Sequence, residues 1–225
     1  MKPTKEYNGR SRIRMFNADC MDVMNYVGEP PYGWDLAIVD PPYGIGESKK
    51  AGNRPKVSVN YKISDWDDAY PDKEYFETLI NVSVNQILWG ANHYISQIPL
   101  DSSCWIVWDK VRQSQDFADC ELAWTSFKSA VKMFNFAWDG FRQGNMKNKE
   151  IRIHPTQKPV QLYKWLLTNY AKEGDTILDT HGGSLSIAIA CWDLGFDLDV
   201  CELDKDYFDM AVKRFENHIS QTKLF

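Results

Sequence analysis

Ile177-Leu178-Asp179-Thr180-His181-Gly182-Gly183-Ser184 is the stretch that decides the fold. Residues 176–178 form a short apolar run, Asp179 closes it, and a glycine pair turns the chain into an apolar helix over residues 185–194, stopped by Gly195. Residues 198–201 make the next strand, which ends at Glu202. Strand, turn, helix and strand in that order predict a parallel βαβ unit. Its two acids stand at carboxyl ends of strands, where open α/β sheets bind ligands. The glycines let a ligand approach the backbone closely, and an acid on the following strand suits ribose hydroxyls. Neither G-x-G-x-x-G nor G-x-x-x-x-G-K-S/T occurs, so a nucleoside without phosphates fits the turn better than a dinucleotide or a nucleoside triphosphate. A βαβ unit whose glycines serve packing alone is the alternative.

Outward from this unit, the run Leu36-Ala37-Ile38-Val39 predicts a second buried strand, which ends in Asp40-Pro41-Pro42-Tyr43. Pro41 keeps Asp40 out of the helical region, and both prolines fix φ and remove N–H donors. What remains is a carboxylate, a set of carbonyls and an aromatic ring, a rigid group of acceptors suited to a planar ligand with two N–H donors. A strand that merely turns on its prolines, with Asp40 as a cap, is the bland alternative. Further strands are expected at residues 12–16, 86–89 and 104–108, and at 121–124 and 131–138 in a middle region that is harder to read. Helices are expected over residues 21–27, from Pro71 with Phe76, Leu79, Ile80 and Val84 on one face, around 92–97, from Val160 to Tyr170, and through Phe208, Ala211, Val212, Phe215 and Ile219. Strands alternating with amphipathic helices argue for a doubly wound α/β fold, mostly parallel, with helices on both faces of the sheet. The chain reads as one domain over residues 1–225 with two insertions, a mobile loop at 44–68 and an aromatic-rich, basic segment at 111–152.

Composition narrows the class. The hydrophobic share of 44% and the charged share of 25% are ordinary for a globular domain. A net charge of −5 counts against a protein that coats nucleic acid nonspecifically, although a local basic groove remains open. Five cysteines without C-x-x-C spacing predict reduced thiols, no disulfide framework and no metal site. No signal peptide or membrane-spanning run is apparent, so a cytoplasmic protein is expected, with no membrane partner.

Four stretches together resemble the D-P-P-Y amino-methyltransferases: Asp40-Pro41-Pro42-Tyr43, His154-Pro155-Thr156-Gln157-Lys158-Pro159, the turn from Asp179 to Ser186, and Asn17-Ala18-Asp19-Cys20. Their order is that of the beta group of DNA adenine-N6 methyltransferases, and the resemblance covers almost the whole chain. It implies a seven-stranded Rossmann-like sheet, S-adenosyl-L-methionine as methyl donor and DNA as partner. Asp40, Pro41, Pro42 and Tyr43 would hold and stack on a flipped adenine. Asp179, Thr180, His181, Gly182, Gly183, Ser184 and Glu202 would hold the donor, with Glu202 on the ribose and Asp19 and Cys20 beside the adenine. His154, Pro155, Thr156 and Lys158 would border the donor's amino-acid end, Lys158 either meeting its carboxylate or serving as a surface lysine. The sequence departs from the family where a second glycine is commonly found, at Leu185. Its side chain would crowd the donor on the usual path of the turn, and the preferred reading turns it into the core.

Lys49, Lys50, Arg54, Arg112, Arg142 and Lys147 are the candidate DNA contacts. The resemblance is compatible with a homodimer and with a cognate restriction nuclease as partner. The same chemistry on cytosine N4 or on RNA adenine, and an inactive donor- or DNA-binding module, stay open as alternatives.

Overall fold

The computed structural model describes residues 1–27, 33–46, 49, 66–112, 118–138 and 142–221. The βαβ reading is realised in β8 (Thr176–Asp179), α4 (Ser186–Leu194) and β9 (Asp197–Cys201), with β8 and β9 paired in parallel. Around them lie β1 (Lys5–Asn8), β2 (Arg12–Phe16), β3 (Trp34–Val39), β4 (Ser83–Trp89), β5 (Trp105–Asp109), β6 (Cys120–Thr125) and β7 (Lys132–Asn135). The sheet order is β1-β2-β9-β8-β3-β4-β6-β5-β7, in which β2, β9, β8, β3 and β4 form a continuous parallel block. β6 enters antiparallel between β4 and β5.

Helices cover both faces, as the alternating pattern predicts. These are α1 (Cys20–Val27) and α2 (Lys73–Val82) on one side, and α3 (Val160–Tyr170), α4 and α5 (Lys205–Gln221) on the other. The two-residue period of β3 shows this directly. Leu36 and Ile38 join the core beneath α3, α4 and α5, while Ala37 and Val39 join Met24 of α1 and Phe76 and Leu79 of α2. Strands buried on both faces need no polar alternation, which is why they appear in the sequence as plain aliphatic runs.

Among the described residues the sheet has nine strands rather than seven. β1 adds antiparallel to β2 at one edge, and β7 adds parallel to β5 at the other. β1 reads Lys-Glu-Tyr-Asn with three exposed residues, so it carries no apolar signal. The strand expected at 131–138 shortens to β7, with Trp138 left in an isolated bridge to Gln143. Val84, assigned to a helix face, lies in β4 and is 73% exposed. The helix stops at Val82, where Ser83 turns extended and returns its hydroxyl to the Leu79 carbonyl at 2.6 Å. The short helix expected around residues 92–97 is two 3-10 turns after a left-handed Gly90.

Among the pairings that matter for function, β3 and β8 are hydrogen-bonded neighbours, with Leu36 opposite Ile177 and Ala37 opposite Leu178. Asp40 and Asp179 therefore leave the sheet at the same edge, side by side. Residues 47–48 and 50–65 of the predicted loop, with Lys50 and Arg54, lie outside the described residues. The described ends of that loop are tied together, Gly46 donating its N–H to the Asp67 carbonyl at 3.0 Å.

Candidate active site

Asp179 ends β8 and is 1% exposed. Its Oδ1 accepts the His181 N–H at 3.0 Å, while Oδ2 is buried with no hydrogen-bond partner among the described residues. Burial pushes its carboxyl up to about 8. A buried acceptor left open in this way is costly, and water, an ion or a ligand can complete its bonding.

The glycine turn is built by contacts on both sides. A Cβ on Gly182 would lie 2.6 Å from the Val200 side chain and 3.1 Å from the Cys201 carbonyl, so only glycine fits between β8 and β9. Gly183 is left-handed and donates its N–H to Glu202 Oε2 at 2.8 Å. The other Glu202 oxygen accepts the Asp204 N–H at 2.8 Å, so this acid braces the turn from the next strand. Burial pushes Glu202 upward as well.

Leu185 is left-handed too (φ 55°), and its side chain is 1% exposed within the core shared with Ile187 and Val200. It points away from the turn's open side, at a backbone cost on the order of 1–2 kcal/mol. Arg214 of α5 offsets that cost from below, donating to the Ser184 carbonyl at 2.7 Å and to Ser186 Oγ at 3.1 Å. The same guanidinium holds Glu150 at 2.6 Å.

The walls of this half are neutral and polar. Thr180 Oγ1 meets the Tyr75 hydroxyl at 2.6 Å and His181 Nδ1 at 2.8 Å. Burial lowers His181 to about 4 and raises Cys20 to about 12, so the first is uncharged and the second a thiol at neutral pH. Asp19 accepts the Met21 N–H at 2.8 Å at the start of α1. His154, lowered by burial to about 3, sits between Trp66 at 5.3 Å and Tyr207 at 4.4 Å. Its ring is 3.7 Å from where a Gly183 Cβ would stand. Thr156 Oγ1 meets His154 Nδ1 at 3.1 Å, and the Pro155 carbonyl accepts from Arg152 at 2.9 Å.

The other half, at the end of β3, is filled by its own residues. Asp40 Oδ1 accepts the Tyr43 hydroxyl at 2.6 Å and Oδ2 takes the Lys158 ammonium at 2.5 Å. Lys158, with 4% of its side chain exposed, also reaches Glu121 Oε2 at 3.1 Å and the Tyr43 hydroxyl at 3.2 Å. Lys110 closes the row on the other Glu121 oxygen at 2.5 Å. Expected beside a donor carboxylate or on the surface, Lys158 is instead buried on Asp40.

The charges answer to these distances. Burial pushes Asp40 upward, with Lys158 only partly opposing it. Glu121 is also pushed by burial, but Lys158 and Lys110 together bring it down to about 2. Burial disfavours the Lys158 ammonium, yet Asp40 and Glu121 outweigh that and raise it. The two acids differ because Glu121 has two lysines and Asp40 shares one.

Tyr43 stacks on His93 at 5.1 Å and 14°, over Gly90, where any Cβ would fall 2.1 Å from the tyrosine ring. Asp67, 2% exposed, accepts the N–H groups of Tyr43 and Gly44 on one oxygen at 2.8 and 3.0 Å and so fixes the backbone beyond Pro42. Asp67, Glu121 and Lys110 are absent from the sequence-derived site. The one trace of Glu121 is a charge inside the run Cys120-Glu121-Leu122-Ala123.

Of the candidate DNA contacts, Lys49 pairs with Asp68 at 2.6 Å, Arg142 donates to the Val111 carbonyl, Arg112 is half-buried and Lys147 is exposed. A cavity of about 570 Å³ opens at the opposite end of the strands, against Arg14, Trp34, Thr176 and Asp199. Asp199 is there satisfied by Arg14 at 2.5 Å and by the Trp34 indole at 2.9 Å.

Residues 105–213 match the family described as DNA methylase, N6_N4_Mtase. That span holds Glu121, His154, Lys158, Asp179 and Glu202, and stops short of Asp40. The Type II methyltransferase M2.DpnII of Streptococcus pneumoniae is 23% identical over 254 residues, covering 95% of this chain and 93% of that one. M.HpaI of Haemophilus parainfluenzae is 33% identical over 73 residues, which are 32% of this chain and 23% of its own length. Among solved structures, the M1.HpyAVI–SAM complex aligns with a TM-score of 0.55 at 20% identity, over 90% of this chain and 99% of that one. The PvuII cytosine-N4-specific DNA methyltransferase aligns with a TM-score of 0.60 at 11% identity, over 97% and 92%. These likenesses establish the fold.

Proposed function

We propose that this chain, which carries a DNA methylase domain, methylates the exocyclic N6 amine of a flipped adenine in DNA. The observation that carries the reading is the pairing of β3 with β8, which brings the Asp40-Pro41-Pro42-Tyr43 acceptors and the open carboxylate of Asp179 to one edge.

S-adenosylmethionine fits the second half by what the residues lack. Asp179 Oδ2 lacks a partner among the described residues, Gly182 admits no side chain between the strands, and each Glu202 oxygen keeps a lone pair for a ribose hydroxyl. Bound there, it supplies an electrophilic methyl group on a sulfonium centre.

The chain's own residues prepare the acceptor. The N6 lone pair of adenine is delocalised into the ring and nucleophilically weak. The Asp40 carboxylate and the Pro41 carbonyl each accept one N–H, which lets the nitrogen pyramidalise and frees the lone pair. Asp40 then stabilises the positive charge that develops on nitrogen, and the excess proton leaves once the amine has become acidic. The base has to leave the duplex to reach this edge, and Tyr43 offers the stacking ring. Asp67 holds the ring's backbone in register for that contact.

The test is a nucleoside digest of unmethylated DNA after incubation with the protein and donor, read by mass spectrometry. N6-methyladenine is expected. N4-methylcytosine would transfer the same geometry to the other exocyclic amine, methylation confined to RNA would change the partner, and donor binding without any methylated nucleoside would leave an inactive module.

A further inference from the structure

The row Asp40, Lys158, Glu121, Lys110 alternates in sign, with Lys158 buried at its centre and the other three partly buried. Only Asp40 belongs to the amine-holding motif, and Lys158 is bonded to it at 2.5 Å where a target amine has to donate. A lone ammonium at that distance would hold the carboxylate's electron density for itself. Glu121, on the antiparallel strand β6 one strand beyond β4, approaches the same ammonium from the other side at 3.1 Å. Lys110 fixes Glu121 in that position from the end of β5.

We propose that Glu121 is a positioning residue of the methyl-transfer reaction, sharing the Lys158 ammonium with Asp40 so that Asp40 remains a competent acceptor for the target amine. When the amine enters, the ammonium has a second carboxylate to lean on, and Asp40 is released without leaving a buried charge unpaired. The proposal rests on the adenine-methylation reading above and adds a residue and a direction to it.

The electrostatic surroundings give the proposal a sign. Asp40 faces Lys158, Glu121 and Tyr43, with Asp179, Tyr94 and Tyr163 as its further titratable neighbours. Glu121 adds Lys110, and Lys158 adds the neutral His154. Glu121 acts on Asp40 in the upward direction, so removing its charge leaves Lys158 to Asp40 alone and moves Asp40 down.

Methyl incorporation into unmethylated DNA is measured against pH for the full chain, with donor affinity by calorimetry and thermal melting alongside. Glu121→Gln is expected to lower kcat at neutral pH by about tenfold, the cost of a misplaced acceptor, and to move the acid limb of the kcat profile to lower pH. Donor affinity should stay within about twofold, and Glu121→Asp should recover most of the rate. Lys110→Met, at the outer end of the row, should move the acid limb the opposite way, because Glu121 then draws harder on Lys158. A purely structural role predicts lower melting temperatures and an acid limb moved upward in both variants. An unmoved or raised limb in Glu121→Gln, or an unmoved or lowered limb in Lys110→Met, overturns the proposal, and Lys110→Met carries the test if Glu121→Gln does not fold. Wild-type protein that incorporates no label overturns the methylation reading itself, whatever the variants do.

Discussion

The two halves of the cleft differ in how they treat a buried carboxylate. At the end of β3 both oxygens of Asp40 are taken, by Tyr43 and Lys158, and Glu121 has each oxygen within ion-pair distance of a lysine, although the approach of Lys158 to Oε2 is not aligned as a hydrogen bond. At the end of β8, Asp179 keeps one oxygen without a partner among the described residues. On the proposed reading, one end is preorganised by the chain and the other is completed by the donor. Preorganised groups act on charge that develops during reaction, whereas an incomplete site spends its free energy on binding. The contrast assigns rate to the Asp40 end and donor affinity to the Asp179 end.

That division can be broken most easily at Asp40. Asp40→Ala is expected to cut kcat by about 100- to 1000-fold while the fold survives, because Lys158 keeps Glu121 as a partner; radiolabelled methyl incorporation and circular dichroism check both parts. Asp179→Asn comes next, with donor affinity down by about 10- to 100-fold and little change in kcat at saturating donor.

The same variant has a signature in stability without ligand. The folded Asp179 carboxyl titrates near 8 against an ordinary 3.8, so the free protein loses stability as pH rises between those values. Asp179→Asn should therefore raise Tm more at pH 8 than at pH 5, and a gain that is the same at both pH values would remove the buried charge from the account.

Asp67→Ala, which frees the Tyr43 and Gly44 N–H groups, should lower kcat by about tenfold with donor affinity intact. The smallest effect is expected at Lys49→Ala, whose pair with Asp68 is largely exposed and is worth less than about 1 kcal/mol by denaturant titration.

The sequence carried the parallel core because double-sided burial leaves an unmistakable trace. Leu36 to Val39 and Ile177 to Leu178 are aliphatic with no polar alternation, and the order of strands and helices admits few topologies. The burial of Leu185 was legible too, as an apolar residue at a helix start. The edge strand β1 was not, since it buries little and its residues obey solvent rather than the core, and at the other edge only the extent of β7 was misjudged. The partner of Lys158 was not legible either. Its ion pairs reach Asp40, 118 positions away, and Glu121, so they exist only once β3, β6 and the segment before α3 have met. Asp67 escaped notice because its work is done on backbone N–H groups, which every residue carries.

The division of labour is tested most directly by titrating S-adenosylmethionine calorimetrically into wild type, Asp40→Ala and Asp179→Asn. The account predicts that wild type and Asp40→Ala bind alike while Asp179→Asn binds more weakly. Equal losses of donor affinity in the two variants would contradict it.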